Sequence, residues 1–83
     1  MELREGVSTA DTDYGITLLD EDSGQYWNLN PTGAVVVRTL LGGGTPVQAV
    51  DELTNRYAVD AATASRDVQD LVGQLRSTGL VRG

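Results

Sequence analysis

The sequence contains no cysteine, no histidine, no lysine and no phenylalanine. Without cysteine there is no disulfide and no thiolate chemistry. Without cysteine or histidine, zinc or iron sites built on nitrogen and sulfur ligands are excluded, as is the usual general base of a nucleophilic triad. Carboxylates, hydroxyls and arginines remain, a thin set for catalysis, and no catalytic residue, metal ligand or cofactor is assigned. Long apolar runs are missing too: none approaches the roughly 20 residues that span a bilayer. The first residues, MELREG, are acidic and lack the apolar stretch of a signal peptide, so a cytoplasmic location and no membrane partner are expected.

Positive charge is also scarce. The basic residues are Arg4, Arg38, Arg56, Arg66, Arg76 and Arg82, scattered among twelve acidic residues for a net charge of −6. No basic patch is available for a duplex phosphate backbone. A basic or neutral peptide suits this field better. The 83 residues are enough for a single domain, 1–83. A chain this short buries only about 60–65% of its unfolded surface, so its core must be simple, without a deep enclosed active site. With aromatics at 5%, Leu, Val, Ile and Ala must build that core.

What is present is most telling between Gly24 and Leu41, GQYWNLNPTGAVVVRTLL, a short aromatic strand running straight into a helix. Gln25 to Leu29 reads as a strand with faces Gln25/Trp27/Leu29 and Tyr26/Asn28, of which Trp27 is expected to face the helices. Tyr14 to Leu19 reads as its partner, with Tyr14, Ile16 and Leu18 on one face, and residues 20–24 form the hairpin turn between them. Residues 3–10 alternate weakly as a first strand, so all strands lie within 3–29. Three helices are predicted at about 31–41, 46–57 and 61–78. Their N-caps are Asn30, Thr45 and Asp60, with Pro31 and Pro46 at first helical positions. Val35, Val36, Leu40 and Leu41 line the first helix; Val47, Val50, Leu53 and Tyr57 line the second. Ala64, Val68, Leu71, Val72 and Leu75 line the third, which Gly79 should end with Leu80 folding back. The fold class is α+β: a three-stranded antiparallel sheet followed by three helices, a winged helix-turn-helix variant.

Several local motifs read blandly. Asp20, Asp22 and Gly24 imitate the start of a calcium loop, but Gln25 and Pro31 stand where that loop needs Gly and Glu. Gly42-Gly43-Gly44-Thr45 lacks the lysine and flanks of a phosphate loop and reads as a helix stop. Asp22-Ser23 has the Asp-Ser of acyl carrier proteins, but in a hairpin tip rather than at the head of a long helix. Asp67 and Asp70 flank the apolar stripe of the third helix, either as a solvated face or as an acidic groove rim.

Taken in order, Tyr26, Leu29-Asn30, Gly33, Val36, Leu40-Leu41, Gly44, Ala49-Val50, Leu53, Tyr57, Val59, Asp67-Val68, Leu71, Leu75 and Gly79-Leu80 resemble the PqqD-like family over roughly residues 14–82. These are the precursor-peptide recognition elements of ribosomally made, post-translationally modified peptides. Trp27 before Asn28-Leu29-Asn30 makes the chain most similar to the lasso-peptide members, the freestanding leader-binding halves of a split B protein. The resemblance implies non-catalytic binding of a precursor's leader segment, added as an antiparallel strand to the third strand beside the third helix. In the lasso class the leader carries a Tyr-x-x-Pro element. The resemblance further implies handover to a cysteine-protease-like leader peptidase and to an ATP-dependent cyclase. Carried over by position, the peptide site comprises Gln25, Tyr26, Trp27, Asn28 and Leu29 on the strand and Ala64, Asp67, Val68, Leu71, Val72 and Leu75 on the helix. A monomer is expected, with a homodimer through the free strand edge as the alternative. The rival function on the same architecture is a winged-helix DNA-binding regulator. Against it stand the net charge of −6 and a recognition helix, 60–78, whose basic residues are only Arg66 and Arg76.

Overall fold

A computed structural model describes residues 1–82. Its elements in chain order are β1 (Glu2–Leu3), β2 (Val7–Thr12), β3 (Gly15–Asp20), β4 (Tyr26–Leu29), α1 (Pro31–Leu41), α2 (Pro46–Arg56), α3 (Ala61–Ser77) and β5 (Val81–Arg82). Strands β2, β3 and β4 form an antiparallel sheet in that order, and β1 pairs with β5 in a separate two-stranded ribbon. The α+β architecture expected from the sequence, a three-stranded antiparallel sheet followed by three helices, is the one observed.

The N-terminal segment departs from expectation. The strand read at 3–10 is broken by a turn in which Gly6 takes φ +88° and the Val7 amide donates to the Arg4 carbonyl at 3.0 Å. β1 is thereby turned away to meet β5, an element not foreseen. Arg4 fixes the corner: its backbone amide donates to the Leu80 carbonyl, and its guanidinium reaches Asp20 at 2.9 Å and the Gly79 carbonyl at 2.8 Å. Tyr14 is also misplaced by the sequence reading. It sits with Asp13 in the two-residue β2–β3 turn and is 81% exposed, because Thr12 pairs directly with Gly15. The Thr12 hydroxyl accepts from the Tyr14 and Gly15 amides and closes that turn.

The helix starts follow from local chemistry. Asn30 Oδ1 accepts from the Gly33 amide at 2.8 Å, Asp60 Oδ1 from the Thr63 amide at 2.7 Å, and Thr45 and Gln48 form a reciprocal capping box. At the other end of α3, Gly79 at φ +77° lets its amide reach Arg76 O and the Leu80 amide reach Leu75 O, which turns Leu80 into the core. On α2 the apolar stripe is shifted: Val47, in the first turn, is 70% exposed, while Ala49 and Leu53 are buried.

The core has two adjoining parts with α1 between them. Val35, Val36 and Leu40 pack with Ala49 and Leu53 of α2 and Ala64 and Val68 of α3. Val37 on the other side of α1 packs with Leu18, Leu75, Leu80 and Val81, against which Trp27, Leu29 and Leu71 also lie. α1 therefore buries residues on two sides, which its run Ala34-Val35-Val36-Val37 supplies.

Candidate functional site: a cleft between the β4 edge and α3

β4 is an edge strand, and its hydrogen-bonding phase decides what it offers. The Asp20 amide donates to the Gln25 carbonyl at 2.9 Å, so these two residues form a hydrogen-bonded pair. In an antiparallel ladder such pairs alternate with non-bonded ones. With Leu18 opposite Trp27 and Ile16 opposite Leu29, the peptide groups of Trp27 and Leu29 turn toward β3. Those of Tyr26 and Asn28 turn outward. The opposite side of β3 keeps the same phase, since the Glu21 amide donates to the Gly6 carbonyl. Asn28 is placed as a non-bonded pair requires: its Oδ1 accepts from the Thr17 hydroxyl at 2.6 Å.

Side chains alternate in turn. Trp27 and Leu29 are half-buried against the core, whereas Asn28 is exposed and Tyr26 is 64% exposed on the outer face. Trp27 thus faces the helices, as read from the sequence. Gln25 precedes β4 and is exposed at the hairpin end.

At the C-terminal end of β4 the sheet and helices part around a cavity of about 460 Å³. The β4–α1 junction contributes Asn28, Leu29, Asn30, Thr32, Gly33 and Val36. The end of α2 and the following turn contribute Leu53, Tyr57 and Val59, and α3 contributes Asp67, Asp70, Leu71 and Gln74. Gly33 helps keep the space open. A Cβ there would lie 3.2 Å from the Asn30 cap oxygen, 3.4 Å from the Leu29 side chain and 3.8 Å from that of Leu71, so any larger residue would project between the two leucines. The floor is aliphatic and the rim is amide, hydroxyl and carboxylate. This is a surface for holding an extended chain with one or more side chains inserted. Among the described residues no group of three or more His, Cys, Asp or Glu could hold a metal ion, and no helix is long and apolar enough to cross a membrane.

Of the residues assigned from sequence, the cavity brings together Asn28, Leu29, Asp67 and Leu71. Ala64, Val68 and Leu75 are buried in the core, so they back the α3 wall instead of lining it. Val72 is half-buried against the α1–α2 side. The physical reason is helical phase: the α3 stripe that seals the core and the one that faces the cleft are neighbours and share only Leu71. The sequence reading left Asp70 open between a solvated face and a groove rim and missed Gln74, although with Asp67 and Leu71 they complete an i, i+3, i+4, i+7 row. It also missed Tyr57 and Val59, whose place depends on how α2 turns into α3.

This geometry, an edge strand entering a helix beside a cleft walled by the last helix, agrees with comparisons to known proteins. Residues 15–81 match the family described as Coenzyme PQQ synthesis protein D (PqqD), and the chain belongs to that family. Two solved structures are similar over nearly the whole chain. One is a lasso peptide synthetase B1 complexed with the leader peptide, 43% identical, covering 99% of this chain and 96% of that chain at a TM-score of 0.90. The other is TbiB1 in complex with the TbiA(beta) leader peptide, 30% identical, covering 100% of this chain and 96% of that chain at a TM-score of 0.88. No curated protein matches the chain.

Proposed function

We propose that this protein binds the leader segment of a ribosomally made lasso-peptide precursor, without itself catalysing a reaction. The observation that carries the reading is the outward-facing peptide groups of Tyr26 and Asn28, lying beside a cavity whose far wall is α3. An extended peptide adding to this edge gains main-chain hydrogen bonds from β4 and side-chain selectivity from the cavity. The similarity to two B1 proteins solved with leader peptides supports the choice of peptide class.

In this reading Tyr26 and Asn28 supply the backbone bonds, while Leu29, Asp67 and Leu71 contact the peptide. Gln25 borders the peptide where it leaves toward the hairpin. Trp27, Ala64, Val68, Val72 and Leu75 hold the two walls from behind. The bound precursor is then presented in the cytoplasm to a separate leader peptidase and a cyclase, with the protein acting as a monomer.

The test is a titration with synthetic lasso-type leader peptides containing Tyr-x-x-Pro, followed by Trp27 fluorescence and calorimetry. Trp27 is the only Trp and sits on the strand in question. Saturable one-to-one binding, lost when that Tyr and Pro become Ala, is expected. No heat and no spectral change with any of several lasso leaders would sink the proposal. A shift of duplex DNA at low salt in the same preparations would favour the regulator reading instead.

A further inference from the structure

We infer that the peptide held in this cleft carries a lysine or arginine whose charged end is read by Asp67 and Asp70. The inference rests on the peptide-binding reading and specifies the chemistry of the occupant. Both carboxylates line the cavity, three residues apart on α3 and followed by Leu71 and Gln74 on the same face, and no basic residue lines it. Neither forms an ion pair or hydrogen bond with another described residue.

Two like charges three residues apart repel along the helix. A cation between them would relieve that repulsion as well as gain its own attraction. The cavity floor adds a second requirement. Leu29, Val36 and Leu71 are aliphatic and Gly33 leaves room above them, so the occupant needs an apolar stem as well as a charged end. Lysine and arginine combine the two, laying their methylenes on apolar surface while the head stays at the polar rim. A purely aliphatic side chain would leave the carboxylates unanswered, and an acidic one would be repelled. The protein's net charge of −6 acts in the same direction by drawing a basic segment toward it.

The probes are synthetic Tyr-x-x-Pro leader peptides carrying one lysine, moved position by position outside that element, each compared with norleucine at the same position. At one position, or two neighbouring ones, lysine should bind more tightly than norleucine at about 20 mM salt. Each partly exposed charge contact is expected to contribute up to about fivefold, so about 25-fold for two. The preference should shrink at high salt and disappear in the double variant Asp67→Asn/Asp70→Asn. That variant should keep the circular dichroism of the unaltered protein and still bind the norleucine peptides measurably, so that the lysine preference can be read within it. The inference is overturned if no position prefers lysine, or if the preference survives in the double variant. Peptides that bind without charge discrimination would refute this inference and leave the peptide-binding reading standing. Failure of every peptide to bind would remove both.

Discussion

Replacing Asn28 by proline separates the two edges of β4 cleanly. The Asn28 amide points away from β3, between the hydrogen-bonded pairs that Trp27 and Leu29 make with Leu18 and Ile16. Proline is tolerated in a sheet where the missing N–H would have faced outward. The fold loses only the exposed bond from the Thr17 hydroxyl to Asn28 Oδ1 and some freedom in φ. A cost of about 1 kcal/mol follows, or a fall in Tm of roughly 4–8 °C for a domain of this size. Binding should suffer far more. One donor worth about 0.5–1.5 kcal/mol is gone, a peptide carbonyl is left unpartnered, and the ring occupies the space where the added strand must approach. Affinity should drop at least tenfold, about 1.4 kcal/mol. Asn28→Ala, which keeps the amide, should bind nearly as the unaltered protein does. Leu29→Pro, which breaks the ladder to β3, should lose the fold. Calorimetry with a Tyr-x-x-Pro leader peptide, alongside circular dichroism of each variant, reads all three. A natively folded Asn28→Pro protein that binds within about twofold of the original would refute strand addition at β4.

Gly33→Leu should fill the space between Leu29 and Leu71 and weaken leader binding at least tenfold, about 1.4 kcal/mol, with some loss of Tm because its Cβ would crowd the Asn30 cap oxygen at 3.2 Å; unchanged affinity in a folded variant would place the peptide's anchor elsewhere. Gly15→Ala should destabilise by about 1–3 kcal/mol, seen as a fall in Tm of roughly 5–20 °C, because its Cβ would run into the Leu29 carbonyl and approach Asn30 to 2.9 Å at the strand–helix joint. Asp60 is held below the ordinary carboxylate value of 3.8, chiefly by the Thr63 amide and then the Thr63 hydroxyl. Its folded pKa is lower than its unfolded one, so its contribution is present above the ordinary range and is lost as pH falls through the folded value. The stability advantage over Asp60→Asn, measured by urea unfolding, should therefore be full near neutrality and vanish in acid; an advantage that persists there would show that the charge is not what matters.

The helices were legible because their signals are local. Asn30-Pro31, Thr45-Pro46 and Asp60 mark starts by capping chemistry that needs no distant partner, and Gly79-Leu80 marks an end the same way. The β4 alternation was legible for a similar reason, since Trp27 and Leu29 repeat at the strand period. The N-terminal corner was not. Its geometry depends on Arg4 meeting Asp20 and the Gly79 and Leu80 carbonyls, contacts that span most of the chain. The same limit applies to the cleft. Sequence periodicity identifies the apolar stripe of α3, but Ala64, Val68 and Leu75 became core and Asp67, Asp70 and Gln74 became wall only once α1 was packed beside them.

The short β4 edge also limits how the protein can discriminate among peptides. Only Tyr26 and Asn28 turn their peptide groups outward, and beyond Leu29 the Asn30 carbonyl is already taken by the Ala34 amide as α1 begins. Two residues offer two donors and two acceptors. At about 1 kcal/mol each, the added strand gains about 4 kcal/mol at most, before the cost of ordering it. Every peptide except one with proline at a bonding position can make those same bonds. Selection must therefore come from the side chains that enter the cavity between Gly33, Leu71, Asp67 and Asp70. An alanine scan of a bound leader should show it, with steep losses at one or two inserted positions and shallow losses along the strand. A uniform profile would mean that the cavity contributes little and that the edge alone holds the peptide.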